Sequence, residues 1–121
     1  MKIKIKFDTF EIEGALDASK ASKDIAKLLP LEGKTNLWGG EVFVELPEML
    51  PYPGELDEVE VGDIAYWQEG PALCFFFGET PASFSNKPRP HSPVIVIGKI
   101  QNTEPLKYLK VGVKIMVEKI L

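Results

Sequence analysis

From Lys2 onward, the chain alternates between polar and hydrophobic positions. Ile3, Ile5 and Phe7 fall on one face and lysines fall on the other. This period of two is typical of a strand with one buried face. A short polar break follows, and the hydrophobic positions then resume. Residues 2–16 are therefore predicted to form a β-hairpin.

The periodicity changes between residues 18 and 29. Asp17 or Ser19 can cap the first free amides of a helix, and Pro30 prevents the helix from continuing. The hydrophobic positions that recur at helical spacing are Ala18, Ala21, Ile25, Leu28 and Leu29. One amphipathic helix is predicted over 18–29, with its hydrophobic stripe covering a sheet or the mouth of a barrel.

The rest of the chain predicts short strands separated by strong breakers. Residues 72–77 are continuously hydrophobic and aromatic, which is typical of a strand buried on both sides. Pro105 predicts a short helical turn near 105–109. The other strand segments are 41–46, 58–61, 64–67, 94–100 and 111–117. About eight strands predict a mainly β domain, closed into a barrel so that no edge strand exposes unpaired backbone.

Residues 78–93, called the proline loop below, form the longest irregular segment and contain four prolines. Loops this long within compact domains are usually functional or disordered. Arg89, His91 and Ser92 place a guanidinium, an imidazole and a hydroxyl close together in it. Such donors suit an anionic group such as a carboxylate. The alternative is an ordinary solvated loop whose prolines limit the entropy of the unfolded chain.

The composition fits one domain over residues 1–121, because 45% of the residues are hydrophobic. No hydrophobic run is long enough for a membrane span, and no signal-peptide pattern follows Met1. Cys74 is the only cysteine, so no internal disulfide is expected. The sequence therefore predicts a cytoplasmic protein.

The charge balance argues against a nucleic-acid partner, since 18 acidic residues outnumber 14 basic ones. The acidic residues between 55 and 63 are interpreted as a solvated strand edge and turn, because they lack the spacing of an EF-hand. His91 is the only histidine and has no cysteine cluster near it in the sequence. We therefore expect no metal and no cofactor.

Four segments of the chain resemble one known family. They are similar to motifs of the small prokaryotic cyclophilin-like proteins, and the resemblance spans nearly the whole chain. It implies a shortened cyclophilin-type barrel and a family whose members largely lack an assigned activity. The segments are Trp38-Gly39-Gly40-Glu41, Val61-Gly62-Asp63-Ile64-Ala65-Tyr66-Trp67, Phe76-Phe77-Gly78-Glu79-Thr80-Pro81 and Pro93-Val94-Ile95-Val96-Ile97-Gly98-Lys99-Ile100.

The resemblance to true cyclophilins, the peptidyl-prolyl isomerases, is looser. The order of Gly70-Pro71, a phenylalanine strand, a loop and the strand 94–100 is similar. However, Val94 occupies the position at which that family places its pocket histidine. The upstream motif that carries the catalytic arginine is absent, and Arg89 is the only arginine in this chain.

Six residues are candidates for ligand binding. Phe75 or Phe77 can form an aromatic floor, and Arg89 can act as a donor to a twisting prolyl bond. The alternative is that the phenylalanine strand mainly forms core. Trp38 and Trp67 can edge a pocket or cap the end of the barrel, and His91 completes the set.

The sequence leaves three functions open. The first is a binding domain that accepts a small molecule or an extended, proline-containing peptide in a groove beside the 72–77 strand. The second is a weak peptidyl-prolyl isomerase in which Arg89 replaces the missing arginine. The third is a structural module that forms a homodimer through its aromatic face.

Overall fold

The computed structural model describes all 121 residues. It contains nine strands, one α-helix and one 3-10 helix. In chain order these are β1 (Lys2–Lys6), β2 (Glu11–Leu16), α1 (Lys20–Ala26), β3 (Leu31–Lys34), β4 (Asn36–Trp38), β5 (Glu41–Glu45), β6 (Asp63–Trp67), β7 (Ala72–Phe76), β8 (Ile95–Ile100), the 3-10 helix (Glu104–Tyr108) and β9 (Lys114–Lys119).

All nine strands belong to one antiparallel sheet with the order β3-β9-β1-β2-β8-β6-β7-β5-β4. The two end strands, β3 and β4, are separated along the chain only by Thr35, so the backbone itself connects the two edges. The buried Thr35 hydroxyl donates to the Lys110 carbonyl at 2.9 Å and accepts from the Val113 amide at 3.0 Å. The prediction of a mainly β barrel is confirmed, although the barrel is nearly closed rather than closed and has nine strands instead of about eight.

The first two predicted elements are present. β1 pairs with β2 as a hairpin, with Ile5 opposite Ile12. Helix α1 is shorter than predicted, and Ser19 caps it by accepting from the Ser22 amide at 3.1 Å. After Ala26, the Leu28 and Leu29 amides donate to carbonyls three residues earlier. The predicted last turn therefore exists, but it is tightened as helix ends often are.

The predicted strands differ from the structure in three places. Residues 58–61 form no strand, although Val59 is buried and its amide donates to the Pro88 carbonyl at 3.0 Å. The last strand begins only at Lys114, because a turn with Gly112 at φ +83° precedes it. Strands β3 and β4 were not predicted, because the chain changes partner at Thr35 and no regular alternation spans the change.

The barrel interior is one hydrophobic cluster of 22 buried residues, to which most of the strands contribute. Helix α1 contributes Ala21, Ile25 and Ala26 to the same cluster, so its hydrophobic stripe packs as predicted. Neither helix has the length and hydropathy needed to cross a lipid bilayer.

A second hydrophobic cluster, called the outer cluster, lies on the opposite face of the sheet. Strand β7 joins both clusters, since Leu73 and Phe75 face the interior while Cys74 and Phe76 face outward. The prediction of a strand buried on both sides is confirmed. The outer cluster consists of Val59, Ala65, Ala72, Cys74, Phe76 and Val94, with Phe43, Trp67 and Val96 packed against it. Val59 comes from the segment before β6, and Val94 comes from the segment before β8. These two segments lie outside the barrel strands and cover this face of the sheet.

Candidate functional site

A cavity of about 170 Å³ lies on the outer face of the sheet, next to the end of the proline loop. An engineered apolar cavity of about 150 Å³ is known to hold benzene, so this volume suits a group the size of one ring. The lining residues come from β4, β5, β6 and the segment before β8: Leu37, Trp38, Glu41, Phe43, Trp67, Pro90, His91 and Val94.

The outward residues of the central strand explain why there is a hollow. β7 runs between β5 and β6, and its small residues Ala72 and Cys74 point outward. Larger residues occupy the flanking strands, with Phe43 opposite Cys74 and Trp67 opposite Ala72. The rings of Phe43 and Trp67 meet edge to face at 6.2 Å between centroids. Phe43 and Trp67 both line the cavity, so this aromatic pair forms part of its boundary.

Burial differs across the cavity. Glu41, Pro90 and Val94 are buried, and we call them the floor. Trp38 and Trp67 are half-buried, like Leu37 and Phe43, and form the walls. His91 is exposed at the rim. A ligand in this cavity would therefore contact half-buried apolar walls and one buried carboxyl group.

The turn between β4 and β5 positions Trp38 and Glu41. Gly39 has φ +57°, a conformation that favours glycine. Gly40 accepts from the Phe77 amide and donates to the Glu79 carbonyl, both at 2.7 Å. This turn fixes the first residues of the proline loop against the sheet.

The proline loop is ordered by hydrogen bonds at both of its ends. The Thr80 hydroxyl donates to the Arg89 carbonyl across the loop. Beyond the loop, the Val94 amide donates to the Leu56 carbonyl at 2.9 Å, and the Leu56 amide donates back to the Val94 carbonyl at 3.0 Å. These contacts hold Pro90 and Val94 in the floor of the cavity.

His91 lies between the two tryptophans. Its ring centroid is 5.7 Å from that of Trp38 and 6.1 Å from that of Trp67, and both pairs meet edge to face. The Trp67 indole nitrogen donates to the Ser92 hydroxyl at 2.7 Å, and that hydroxyl donates to the Glu69 carboxylate. The Trp67 side chain is therefore held in one orientation, which favours a pre-formed binding site.

Glu41 is the charged residue of the floor and is only 5% exposed. Burial raises the pKa of its carboxyl group from 4.5 to about 7, while the nearby Cys74 thiol acts in the opposite direction as a hydrogen-bond donor. No lysine or arginine pairs with it. At neutral pH the group can therefore either donate a proton or carry a negative charge.

The six residues that the sequence predicts as candidates for ligand binding do not all lie at one site. Trp38, Trp67 and His91 line the cavity together. Phe75 is fully buried in the barrel interior, and Phe77 packs against that interior, so neither lines the cavity.

The Arg89 side chain also lies outside the cavity lining. Its guanidinium approaches the Asp57 carboxylate at 3.4 Å and lies 4.8 Å from the centre of the Phe84 ring. The neighbouring Lys87 pairs with Glu60 at 3.2 Å. Two of the acidic residues between 55 and 60, Asp57 and Glu60, thus pair with basic residues of the proline loop. No group of three or more His, Cys, Asp or Glu side chains could hold a metal ion.

Sequence reasoning missed Glu41 and Phe43 as site residues, although a signal was present. In the segment 41–46, Val42 and Val44 alternate with Glu41 and Phe43. A large aromatic residue on the otherwise polar face of a strand indicates that something covers this face as well. Leu37, Pro90 and Val94 carry no comparable signal, because only the tertiary structure brings them to the cavity.

Comparison with known proteins extends over nearly the whole chain. The profile of the family described as "Cyclophilin-like" matches residues 1–118. The solution structure of a hypothetical protein from Archaeoglobus fulgidus is similar, with a TM-score of 0.83 and 37% sequence identity. That match covers 99% of this chain and 95% of the archaeal one. No protein with curated annotation matches.

Proposed function

The chain belongs to the cyclophilin-like family, and from this premise we propose that it binds a small organic molecule, or one ring-sized side chain of an extended peptide, in the cavity between Trp38 and Trp67. The observation that supports this function is an aromatic hollow on the outer face of the sheet, with a buried carboxyl group among its lining residues. Small-molecule sites typically combine apolar walls with a few fixed polar groups.

The contacts of Arg89 argue against the alternative of a weak prolyl isomerase. Isomerisation needs a donor that faces the bound peptide as the amide bond twists. Arg89 instead contacts Asp57 and Phe84. In a protease-coupled assay with a proline peptide, we expect a rate equal to the uncatalysed background. Turnover above background that disappears in Arg89→Ala would favour the isomerase.

Tryptophan fluorescence tests the binding function directly. The chain has two tryptophans, and both line the cavity. Titration with benzyl alcohol, cyclohexanol or the peptide Ala-Ala-Pro-Phe should give a saturable change for at least one probe. Leu37→Phe, which adds volume at the half-buried wall, should weaken binding by about tenfold or more.

Arg89→Ala is the matched control, because this residue belongs to the same loop but lies outside the cavity lining. It should leave the affinity within about twofold, which is about 0.4 kcal/mol. If no probe gives a saturable change in the wild-type protein, the proposed function is wrong. Self-association that shields the tryptophans, detected by sedimentation at several concentrations, would favour the homodimer instead.

A further inference from the structure

We infer that the ligand of this cavity is a small organic ammonium ion and that Glu41 is its counter-ion. The inference rests on the proposed function and deepens it, because it assigns the charge and chemical class of the ligand. Three features carry it: the carboxyl group of the floor that lacks a salt-bridge partner, the aromatic walls, and the absence of lysine and arginine among the lining residues.

The first feature is clearest when Glu41 is compared with Asp63, the other buried acid. Each is 5% exposed. Asp63 is paired with the Lys99 ammonium group at 2.9 Å and accepts from the Glu60 amide at 2.8 Å. Glu41 has only the weak Cys74 thiol as a donor. A buried carboxylate without a cation is costly, and a ligand cation would supply the missing partner.

The second feature is the aromatic enclosure. Trp38, Phe43 and Trp67 are half-buried and line the cavity. The faces of aromatic rings attract organic cations, and tryptophan does so most strongly. A cyclic or aromatic amine would place its apolar body between these walls and its charged nitrogen at Glu41. An anionic ligand would meet the like charge of this carboxylate, so the cavity disfavours the anion that the loop donors suggested.

Protonated Glu41 could instead donate a hydrogen bond to a neutral carbonyl or ether oxygen. The dependence of affinity on pH separates these two cases. An ammonium ion needs the carboxylate form, so its affinity should fall about tenfold per pH unit below about pH 7 and level out above it. A neutral acceptor needs the protonated form, so its affinity should fall as the pH rises above about 7.

Other titratable groups near Glu41 must be separated from this effect. Cys74 on β7 is fully buried, and burial holds the pKa of its thiol well above the ordinary value, so it stays protonated. His91 at the rim is the remaining titratable side chain that lines the cavity, while Glu69 lies behind Ser92. The pH profile of the affinity should therefore persist in a His91→Gln variant.

The experiment compares benzylamine, which is an ammonium ion at these pH values, with benzyl alcohol of nearly the same shape. Binding is followed by tryptophan fluorescence and by calorimetry at about pH 8. Benzylamine should bind at least about tenfold more tightly, a difference of about 1.4 kcal/mol. Glu41→Gln should abolish this preference, whereas Glu45→Gln, an exposed change on the same strand, should keep it.

The outcomes separate the inference from the proposed function. Equal affinity for the two probes in the wild-type protein overturns the inference and leaves the binding function supported. Affinity for benzylamine that does not fall below about pH 7 also overturns it, and this measurement needs no variant, so it holds even if Glu41→Gln fails to fold. If neither probe binds, the inference is overturned, and the proposed function fails for this chemical class.

Discussion

The two faces of the sheet differ in what they bury. The barrel interior contains 22 buried hydrophobic residues and no charged side chain. The outer cluster contains six buried residues. Beside it lies the cavity, with the buried carboxyl group of Glu41 in its lining. The same strand serves both faces, with Phe75 inward and Phe76 outward. The interior is one continuous hydrophobic core, whereas the packing on the outer face leaves a cavity.

This difference shows how one barrel can keep its fold while its surface specialises. Contacts in the interior involve nearly every strand, so each change there affects the whole sheet. The cavity depends on a few side chains and on the proline loop, which hydrogen bonds fasten at both ends. The three experiments below measure how much individual features of the two faces contribute to stability.

The largest effect is expected from one pair of phenylalanines. Phe75→Ala removes a fully buried interior side chain and should lower the free energy of unfolding by about 3–5 kcal/mol. Phe43→Ala removes a half-buried wall of the cavity and should cost about 1–2 kcal/mol. Urea unfolding of both variants measures the difference. Equal losses would mean that the two faces contribute alike to stability.

The next effect concerns Glu41 and pH. Its pKa in the folded state, about 7, lies above the ordinary 4.5. The folded protein therefore retains a proton that the unfolded chain loses, and this stabilisation is full at low pH and is lost as the pH rises toward 7. Each pKa unit corresponds to about 1.4 kcal/mol, so about 3 kcal/mol should be lost between about pH 4 and about pH 8.

The Glu41→Gln variant should lack this loss, because an amide does not titrate in that range. The measurement is the free energy of unfolding at the two pH values, compared between wild type and variant. Glu45→Gln, an exposed change on the same strand, is the control and should keep the wild-type pH dependence. A Glu41→Gln protein that loses as much stability as the wild type would show that burial of Glu41 is not the cause.

The smallest effect tests how the outer face is assembled. A Cβ atom on Gly40 would lie 2.2 Å from the carbonyl carbon of Gly78, whereas a Cβ on Gly78 would meet only the Gly40 Cα, at 3.8 Å. Gly40→Ala should therefore force the turn and the proline loop apart, at a cost of about 1–3 kcal/mol. Gly78→Ala should change stability by no more than about 0.5 kcal/mol. Thermal unfolding of both variants provides the comparison, and similar melting temperatures would contradict it.

Much of the fold could be predicted from the sequence, because strong periodicity marks the elements that bury one face. The hairpin of residues 2–16, the helix after Ser19 and the buried strand at Phe75 are of this kind. Strands β3 and β4 could not be found, because they are short and change partners at Thr35.

The site was less accessible to sequence reasoning. Trp38, Trp67 and His91 stand out as unusual residue types, and the cavity unites them. Arg89 stands out for the same reason, yet its side chain is occupied by Asp57 and Phe84. Residue type therefore draws attention to a residue without showing which way its side chain points.

The passage of the chain through Thr35 also has a dynamic consequence. The barrel closes there through one continuous segment of backbone, since β3 pairs with β9 and β4 pairs with β5 but not with each other. We call the boundary between β3 and β4 the seam. Opening the barrel there breaks fewer hydrogen bonds than separating any two paired strands. Amide hydrogen exchange in the native state should start along this seam, ahead of the exchange in β1.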